Sequence, residues 1–401
     1  MSILSGKHIL LGVTGSIAAY KAADLASKLT QAGAKVDVIL TNAAEKFVTP
    51  LTYQSVTGRK TYTDQDFWGD EAHVLHVSLG KTADLLVIAP CTADTMAKLA
   101  HGIADNLLTV TALAATCPIL IAPAMDGGMF DHPATQANLQ TLQTRSVLVA
   151  GPAAGHLASG MSGVGRMLEP ADILGHIRIA LGKSGKLAGK KVIVTAGGTQ
   201  EAIDPVRVIT NHSSGKQGYA LAQAALDAGA KVTLITTPTA LTPPVGADIV
   251  HVKSVQDMLD ALLQESADAL IMAAAGADFR PVNVAKDKLK KRDGIPQIQL
   301  EAAPDILKTL ASQGVEKKRF QVTVGFAAES RDLLANASEK LKSKGLDFIA
   351  ANDISANDAG FAVETNRITL LFANGTQETL PLMSKREVAE KIIEHIARLL
   401  E

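Results

Sequence analysis

Gly189-Lys190-Lys191-Val192-Ile193-Val194-Thr195-Ala196-Gly197-Gly198-Thr199 decides how this chain is read. A charged start, a short apolar run and paired glycines describe a buried strand entering a tight turn. The segment closes at Gly229-Ala230-Lys231-Val232-Thr233-Leu234-Ile235-Thr236-Thr237, a helix-ending glycine followed by a second strand. The N-terminus repeats the pattern. Gly6-Lys7-His8-Ile9-Leu10-Leu11-Gly12-Val13-Thr14-Gly15-Ser16 leads to Gly33-Ala34-Lys35-Val36-Asp37-Val38-Ile39-Leu40-Thr41. A third apolar run follows in each half, Ala83 to Pro90 and Ala267 to Ala275. Continuous apolar strands alternating with amphipathic helices are what a parallel sheet covered on both faces requires. The spacing predicts an α/β protein with two tandem Rossmann-like domains, each a mostly parallel sheet with helices on both faces.

The bulk properties agree. A chain of 401 residues has room for two or three domains, and 47% hydrophobic with 20% charged residues is an ordinary globular balance. A net charge of −1 gives no field that argues for nucleic acid or a membrane. Two cysteines, Cys91 and Cys117, fit a reducing cytosol rather than a disulfide scaffold, so the expected location is cytoplasmic. Gly12, Thr14, Gly15 and Ser16 interrupt the N-terminal apolar run, which favours strand-turn-helix over a signal peptide.

In the first half, a helix is expected to start near Ser16 as N-cap and to turn Ile17, Ala18, Leu25 and Leu29 towards the sheet. Tyr53, Tyr62, Phe67 and Trp68 mark a polar, aromatic stretch suited to a lid or an inter-subunit surface. Further helices are expected over 92–102, 107–115 and 171–181, with a strand at 118–122. Gly151 to Glu169 reads as a long loop. Residues 182–189 read as a linker, which separates domains at 1–181 and 190–401. The first repeat takes 19 positions from Thr14 to Gly33, and the second takes 34 from Thr195 to Gly229. The added residues hold Asp204-Pro205-Val206-Arg207 and Asn211-His212-Ser213-Ser214-Gly215-Lys216, a polar insert where a ligand would sit.

Neither glycine turn has the G-x-G-x-x-G spacing of a dinucleotide site, and Thr41-Asn42 offers no acid for an adenosine ribose. Hydroxyls and amides at a helix start suit one phosphate, so FMN and a plain packing turn are both open from the turn alone. A Walker A loop is excluded, since Ile177 and Thr210 stand where its first glycine would be. His73-x-x-His76 has helical metal spacing but no further ligand cluster, which favours one catalytic imidazole over zinc. Lys286, Lys288, Lys290 and Lys291 form a basic run that is either a solvated loop or a cover for a triphosphate. Lys340, Lys342 and Lys344 form a second cluster, of which at most two face one ligand.

Over essentially its full length the chain resembles the bacterial bifunctional coenzyme A biosynthesis family, phosphopantothenoylcysteine decarboxylase fused to phosphopantothenate–cysteine ligase. Gly12-Val13-Thr14-Gly15-Ser16 looks like that family's flavin phosphate turn, His76 its active-site histidine and Thr92-Ala93-Asp94-Thr95 its second flavin segment. Ala124-Met125-Asp126 and Gly163-x-Gly165-Arg166 are similar to its substrate clamp and flap. Arg207, Asn211, Asp278, the lysine run and Gly325-Phe326 are similar to the ligase signature.

The resemblance implies FMN held by Gly12, Thr14, Gly15, Ser16, Thr41, Thr92, Ala93 and Thr95. His76 would assist oxidation and decarboxylation, and Met125, Asp126, Arg166 and Arg207 would hold substrate. The ligase half would use CTP and Mg²⁺, with metal ligands left open, to join 4′-phosphopantothenate to L-cysteine. Asn211 would hold the acyl-cytidylate and Lys288 the triphosphate. Ala273, Ala274, Asp278, Pro304, Asp305, Ile306, Leu307, Phe326, Lys340 and Lys344 would complete the CTP site. It also implies a homo-oligomer, with trimeric flavin domains and dimeric ligase domains, which a dodecamer satisfies.

Two positions depart from the commonest family form. Asp126 replaces an asparagine, and a carboxylate cannot donate unless protonated. Ser159 replaces the flap cysteine that supplies the last proton, and an alcohol is a far weaker acid than a thiol of pKa about 8.5. Either another donor serves, with His156 and water as candidates, or the first half releases an oxidised intermediate. The rival readings are a nicotinamide-dependent oxidoreductase and a flavin-binding regulator with an inactive ligase remnant.

Overall fold

The apolar runs do become parallel strands. The computed structural model describes residues 2–68, 74–313, 319–329, 332–353 and 364–401, which divide into two compact units, Met1–Gly182 and Lys183–Glu401.

In the first unit the strands are β1 (His8–Val13), β2 (Lys35–Leu40), β3 (Thr61–Tyr62), β4 (Leu85–Cys91), β5 (Ile119–Pro123) and β6 (Leu148–Val149), with a hairpin of β7 (Ala153–His156) and β8 (Ser162–Arg166). The helices are α1 (Ala19–Gln31), α2 (Pro50–Thr57), α3 (Leu75–Thr82), α4 (Ala93–His101), α5 (Leu107–Ala114), α6 (Gly127–Asp131), α7 (Pro133–Thr144) and α8 (Pro170–Gly182). The six-stranded sheet has the order β3-β2-β1-β4-β5-β6, and every pairing in it is parallel. This is the doubly wound order, whose switch point lies between β1 and β4. All seven residues of β4 are buried, because helices cover both faces. Each of Leu85, Leu86, Val87 and Ile88 contributes about 1.5–3 kcal/mol on leaving water.

The second unit contains β9 (Lys191–Ala196), β10 (Gln200–Asp204), β11 (Arg207–Thr210), β12 (Lys231–Thr236), β13 (Ala247–His251), β14 (Ala267–Met272), β15 (Phe279–Pro281), β16 (Leu300–Ala302), β17 (Phe320–Glu329), β18 (Phe348–Asp353), β19 (Thr365–Asn366), β20 (Ile368–Phe372), β21 (Gln377–Thr379) and β22 (Met383–Ser384). Its helices are α9 (Lys216–Asp227), α10 (Val255–Leu263), α11 (Ile306–Gln313), α12 (Leu333–Ser343) and α13 (Lys385–Leu400). The main sheet runs β13-β12-β9-β14-β17-β18-β20-β21. The first six of these strands are parallel, and β20 and β21 join antiparallel. Among the described residues no helix is long and apolar enough to cross a membrane.

Several local expectations are corrected. The first helix starts at Ala19, three residues later than expected, and Ser16 caps nothing at its start. The Ser16 hydroxyl accepts the Ala18 N–H at 3.2 Å inside a turn, and Ile17 is exposed rather than sheet-facing. Tyr53 is no lid residue: it is fully buried and donates its hydroxyl to the Ala19 carbonyl at 2.8 Å. The loop expected over 151–169 contains the β7–β8 hairpin. The insert after β9 is the antiparallel β10–β11 hairpin. The stretch expected to be a linker folds onto the second unit, where Leu187 is fully buried and donates its N–H to the Ala228 carbonyl. The zinc reading of His73 with His76 falls partly outside the described residues, as does the Trp68 side chain.

Candidate functional site

Among the described residues, two cavities of the first unit bear on the site. One, of about 630 Å³, opens at the carboxyl ends of β1, β2 and β4, around the switch point. Thr14, Gly15, Ser16, Thr41, Thr92, Ala93 and Thr95 all line it, so three chain segments meet around one space. Thr14 latches two of them: its hydroxyl donates to the Pro90 carbonyl at 2.7 Å and accepts the Thr92 N–H at 3.2 Å. Thr92 in turn caps α4, accepting the Thr95 N–H. Gly15 is obligatory by close approach, since a Cβ there would stand 2.4 Å from the Ala43 Cβ. Gly12 does not line the cavity. The space over its Cα is taken by Leu108 of α5, 2.4 Å from where a Cβ would be, so it serves packing.

The second cavity, about 430 Å³, is lined by Met125, Asp126, His156, Ser159 and Arg166. Ser16, Ala124 and Met125 stand in the walls of both cavities, so the two adjoin. The Met125 N–H donates to the Gly165 carbonyl at 3.0 Å, which ties the β7–β8 hairpin to the segment after β5. Ser159 donates to Asp126 Oδ2 at 2.6 Å, and the Gly128 N–H donates to Oδ1 at 3.0 Å. Together they hold the Asp126 carboxyl below its usual range. Glu169 accepts from Lys21 at 2.8 Å and from Arg166 at 2.5 Å, and these cations, Lys21 foremost, hold its carboxyl low. Cys91 is fully buried among apolar side chains, and that burial pushes its thiol up to about 12.

His76 lines neither cavity. It sits in the first turn of α3 with its ring edge-on to Phe67, and its buried Nδ1 has no hydrogen-bond partner among the described residues.

The second unit holds a cavity of about 660 Å³ around the end of β14 and the start of α9. Asn211, Ala273, Ala274, Asp278, Pro304, Asp305, Ile306, Leu307, Phe326, Lys340 and Lys344 all line it. Asn211 donates its amide to the Gly276 carbonyl at 2.9 Å, so Oδ1 is the atom left for a ligand. Lys344 pairs with Asp305 at 3.3 Å. Lys288 and Arg207 are not in the wall. Lys288 is exposed, and Arg207 is turned to buried Asp204 and to the Leu289 carbonyl, at 3.1 Å from the latter. Asp204 also accepts the Leu289 N–H at 3.1 Å, so this pair fastens the lysine run to the β10–β11 hairpin.

The wall also contains Asn352, Asn366 and Lys385, which sequence reasoning missed. Asn352 carried a signal, a polar side chain closing the apolar run of β18. Lys385 carried none, since a lysine opening an amphipathic helix looks like a solvated charge. Among the described residues no group of three or more His, Cys, Asp and Glu is placed to hold a metal.

Comparison with known proteins gives a match over both units. Residues 2–181 match the model of the family described as Flavoprotein, and residues 187–400 that of the DNA/pantothenate metabolism flavoprotein C-terminal domain. The coenzyme A biosynthesis bifunctional protein CoaBC of Bacillus subtilis (strain 168) is 46% identical over 402 residues, covering 99% of this chain and 98% of its own. A crystal structure of the C-terminal domain of such a protein is 41% identical, with a TM-score of 0.46, over 54% of this chain and 98% of that one. A PPC decarboxylase variant complexed with pantothenoylaminoethenethiol is 37% identical, with a TM-score of 0.41, over 43% of this chain and 97% of that one.

Proposed function

This chain belongs to the family of bifunctional coenzyme A biosynthesis proteins, and from that premise we propose how its two units divide the chemistry. It is a flavoprotein enzyme with a decarboxylase and a ligase activity. The comparisons lend no support to a nicotinamide oxidoreductase or to a regulator with an inactive ligase.

In the first unit FMN takes the larger cavity. The donor set fits it: neutral hydroxyls of Ser16, Thr41, Thr92 and Thr95 and a glycine turn for a phosphate, with Ala124 and Met125 beside an apolar ring. FMN supplies an electron sink that makes loss of CO₂ from an unactivated cysteinyl carboxylate possible. The observation that carries the reading is the shared Met125 wall, because a substrate in the smaller cavity then lies against the flavin. Arg166 orients an anionic part of the 4′-phosphopantothenoylcysteine substrate, while Asp126 and Ser159 close over it. His76, lying outside both cavities of its own unit, reaches the site of a neighbouring copy in a trimer of first units.

The second unit takes CTP, 4′-phosphopantothenate and L-cysteine. A carboxylate is a poor acyl donor until its oxygen becomes part of a phosphate leaving group. The phosphopantothenate carboxylate attacks the α-phosphorus, pyrophosphate leaves, and the cysteine amine then displaces CMP to form the amide. Asn211 Oδ1 faces the acyl-cytidylate, and cavity cations offset the charge growing on pyrophosphate. Mg²⁺ would be held mainly by the triphosphate, with cavity-lining Asp278 as the carboxylate beside it, and would offset phosphate charge, since this ion usually binds through one or two carboxylates plus phosphates. Exposed Val206, Val208, Phe279, Val282 and Val284 lie on or beside the segments that carry Arg207 and the lysine run, and they support pairing of second units. In such a pair Lys288 reaches the partner's cavity, while Arg207, held by Asp204 and the Leu289 carbonyl, positions the loop that carries it. Absorbance near about 450 nm after FMN loading, with CTP-dependent release of pyrophosphate, tests the reading. A colourless protein that makes no CMP overturns it.

A further inference from the structure

The nucleotide cavity has cations at two ends, and the ends are not equivalent. Lys340 and Lys344 lie at the carboxyl end of α12, where they offset the negative end of the helix, and Lys344 is already paired with Asp305. Lys216 and Lys385 sit in the opposite relation. Lys216 opens α9 and Lys385 opens α13, so each adds its charge to the positive end of a helix. The two helix starts are joined: Gln217 donates to the Lys385 carbonyl at 3.1 Å and accepts from Asn366 at 2.9 Å.

Placing a lysine at a helix start, next to another lysine, does nothing for stability. Lys385 is nevertheless 6% exposed, and burial first and Lys216 second hold its ammonium below the usual range, with Glu364 only partly offsetting them. The Lys385 side chain lines the same cavity as Lys216, so the two ammonium groups face one space. Lys216 is paired with the Glu364 carboxylate, on a side chain 78% exposed. An exposed surface carboxylate is what a bound anion displaces.

We propose that Lys385 and Lys216 form the subsite that receives the terminal diphosphate of the nucleotide and then holds the departing pyrophosphate. This rests on the reading of the cavity as a nucleotide site. Phe326, Ile306 and Leu307 leave the apolar part of the same cavity to the nucleoside. Glu364 swings out as the phosphates enter and returns as pyrophosphate leaves.

The test is calorimetric titration of the full chain with pyrophosphate, CTP and CMP, for the native protein and for Lys385→Met. Methionine keeps the length of the side chain and removes the charge. Pyrophosphate and CTP should each bind at least tenfold more weakly to the variant, while CMP, which lacks the terminal phosphates, keeps its affinity within twofold. Lys216→Met should shift the same two ligands, which keeps the test open if the first variant does not fold. Equal weakening of CTP and CMP, or no change in either, overturns the subsite. A rise confined to the KM for cysteine also overturns it, assigning the lysines to an amino-acid carboxylate. Native protein that binds pyrophosphate through Lys385 but neither cytidine nucleotide would support the anion subsite while overturning the nucleotide reading.

Discussion

Ser159 donates its hydroxyl to Asp126 Oδ2 at 2.6 Å, so the two positions that depart from the common form of the family touch each other. The serine proton is committed to a carboxylate, and the carboxylate has both oxygens occupied, by Ser159 and by the Gly128 N–H. Neither side chain is poised to hand a proton to a bound intermediate. Ser159→Ala should therefore change the rate of CO₂ release by less than about threefold, the effect of losing one exposed hydrogen bond. Ser159→Cys should speed the last reduction without changing CO₂ release, because a thiol is the stronger acid. Mass spectrometry of reduced and unreduced products reads both outcomes. A complete block in Ser159→Ala would make the serine the donor after all.

Asn211→Ala should abolish amide formation and leave FMN content unchanged. Its amide anchors Gly276, so Asn211→Asp, which cannot donate there, should fail as badly despite its similar size. CMP release assayed beside flavin absorbance checks this, and retained turnover in either variant removes Asn211 from its role.

Gly15→Ala should lower FMN occupancy at least tenfold while ligase activity persists, since a Cβ there stands 2.4 Å from Ala43. Gly218→Ala should do the reverse. Its Cβ would meet Ala196 at 2.5 Å and the Thr195 carbonyl at 2.9 Å, lifting α9 from β9. Flavin content and CTP-dependent pyrophosphate release separate the two.

His8, Asp37 and Arg59 make a pH-sensitive clamp beside β1. His8 Nε2 lies 2.6 Å from Asp37 Oδ2, and Arg59 donates to both Asp37 oxygens at 2.7 and 2.9 Å. The Asp37 hydrogen bond raises the His8 pKa, so its contribution is full below about 6.5 and is lost as pH rises through the folded value. Burial raises the Asp37 carboxyl, but His8 and Arg59 outweigh it and bring it from 3.8 to about 2. That contribution is present above pH 4 and lost as pH falls towards 2. The melting temperature of His8→Gln should trail the native protein more at pH 5.5 than at pH 9. An equal gap at both would contradict the clamp.

Strands and glycine turns were legible because a sheet buried on both faces needs continuous apolar runs, and β1, β4, β9 and β14 have them. The β7–β8 hairpin was not, since Gly155, Gly160, Gly163 and Gly165 leave no alternation to read. Tyr53 misled because its neighbours are polar, although its hydroxyl has a backbone partner inside the core. Contiguous motifs such as Thr14 to Ser16 converge on a cavity because one turn carries them. Gly12, His76, Arg207 and Lys288 do not line the cavities of their own units, and local spacing carries no information about which surface faces a site.

The most direct test of the account supplies the full chain with CTP, L-cysteine, Mg²⁺, FMN and 4′-phosphopantothenate carrying ¹⁸O in its carboxylate, and weighs the products. Activation as an acyl-cytidylate predicts CMP with one heavy oxygen, together with a thiol product that has lost CO₂. Heavy oxygen in inorganic phosphate beside CDP, or CMP formed without label, would contradict it.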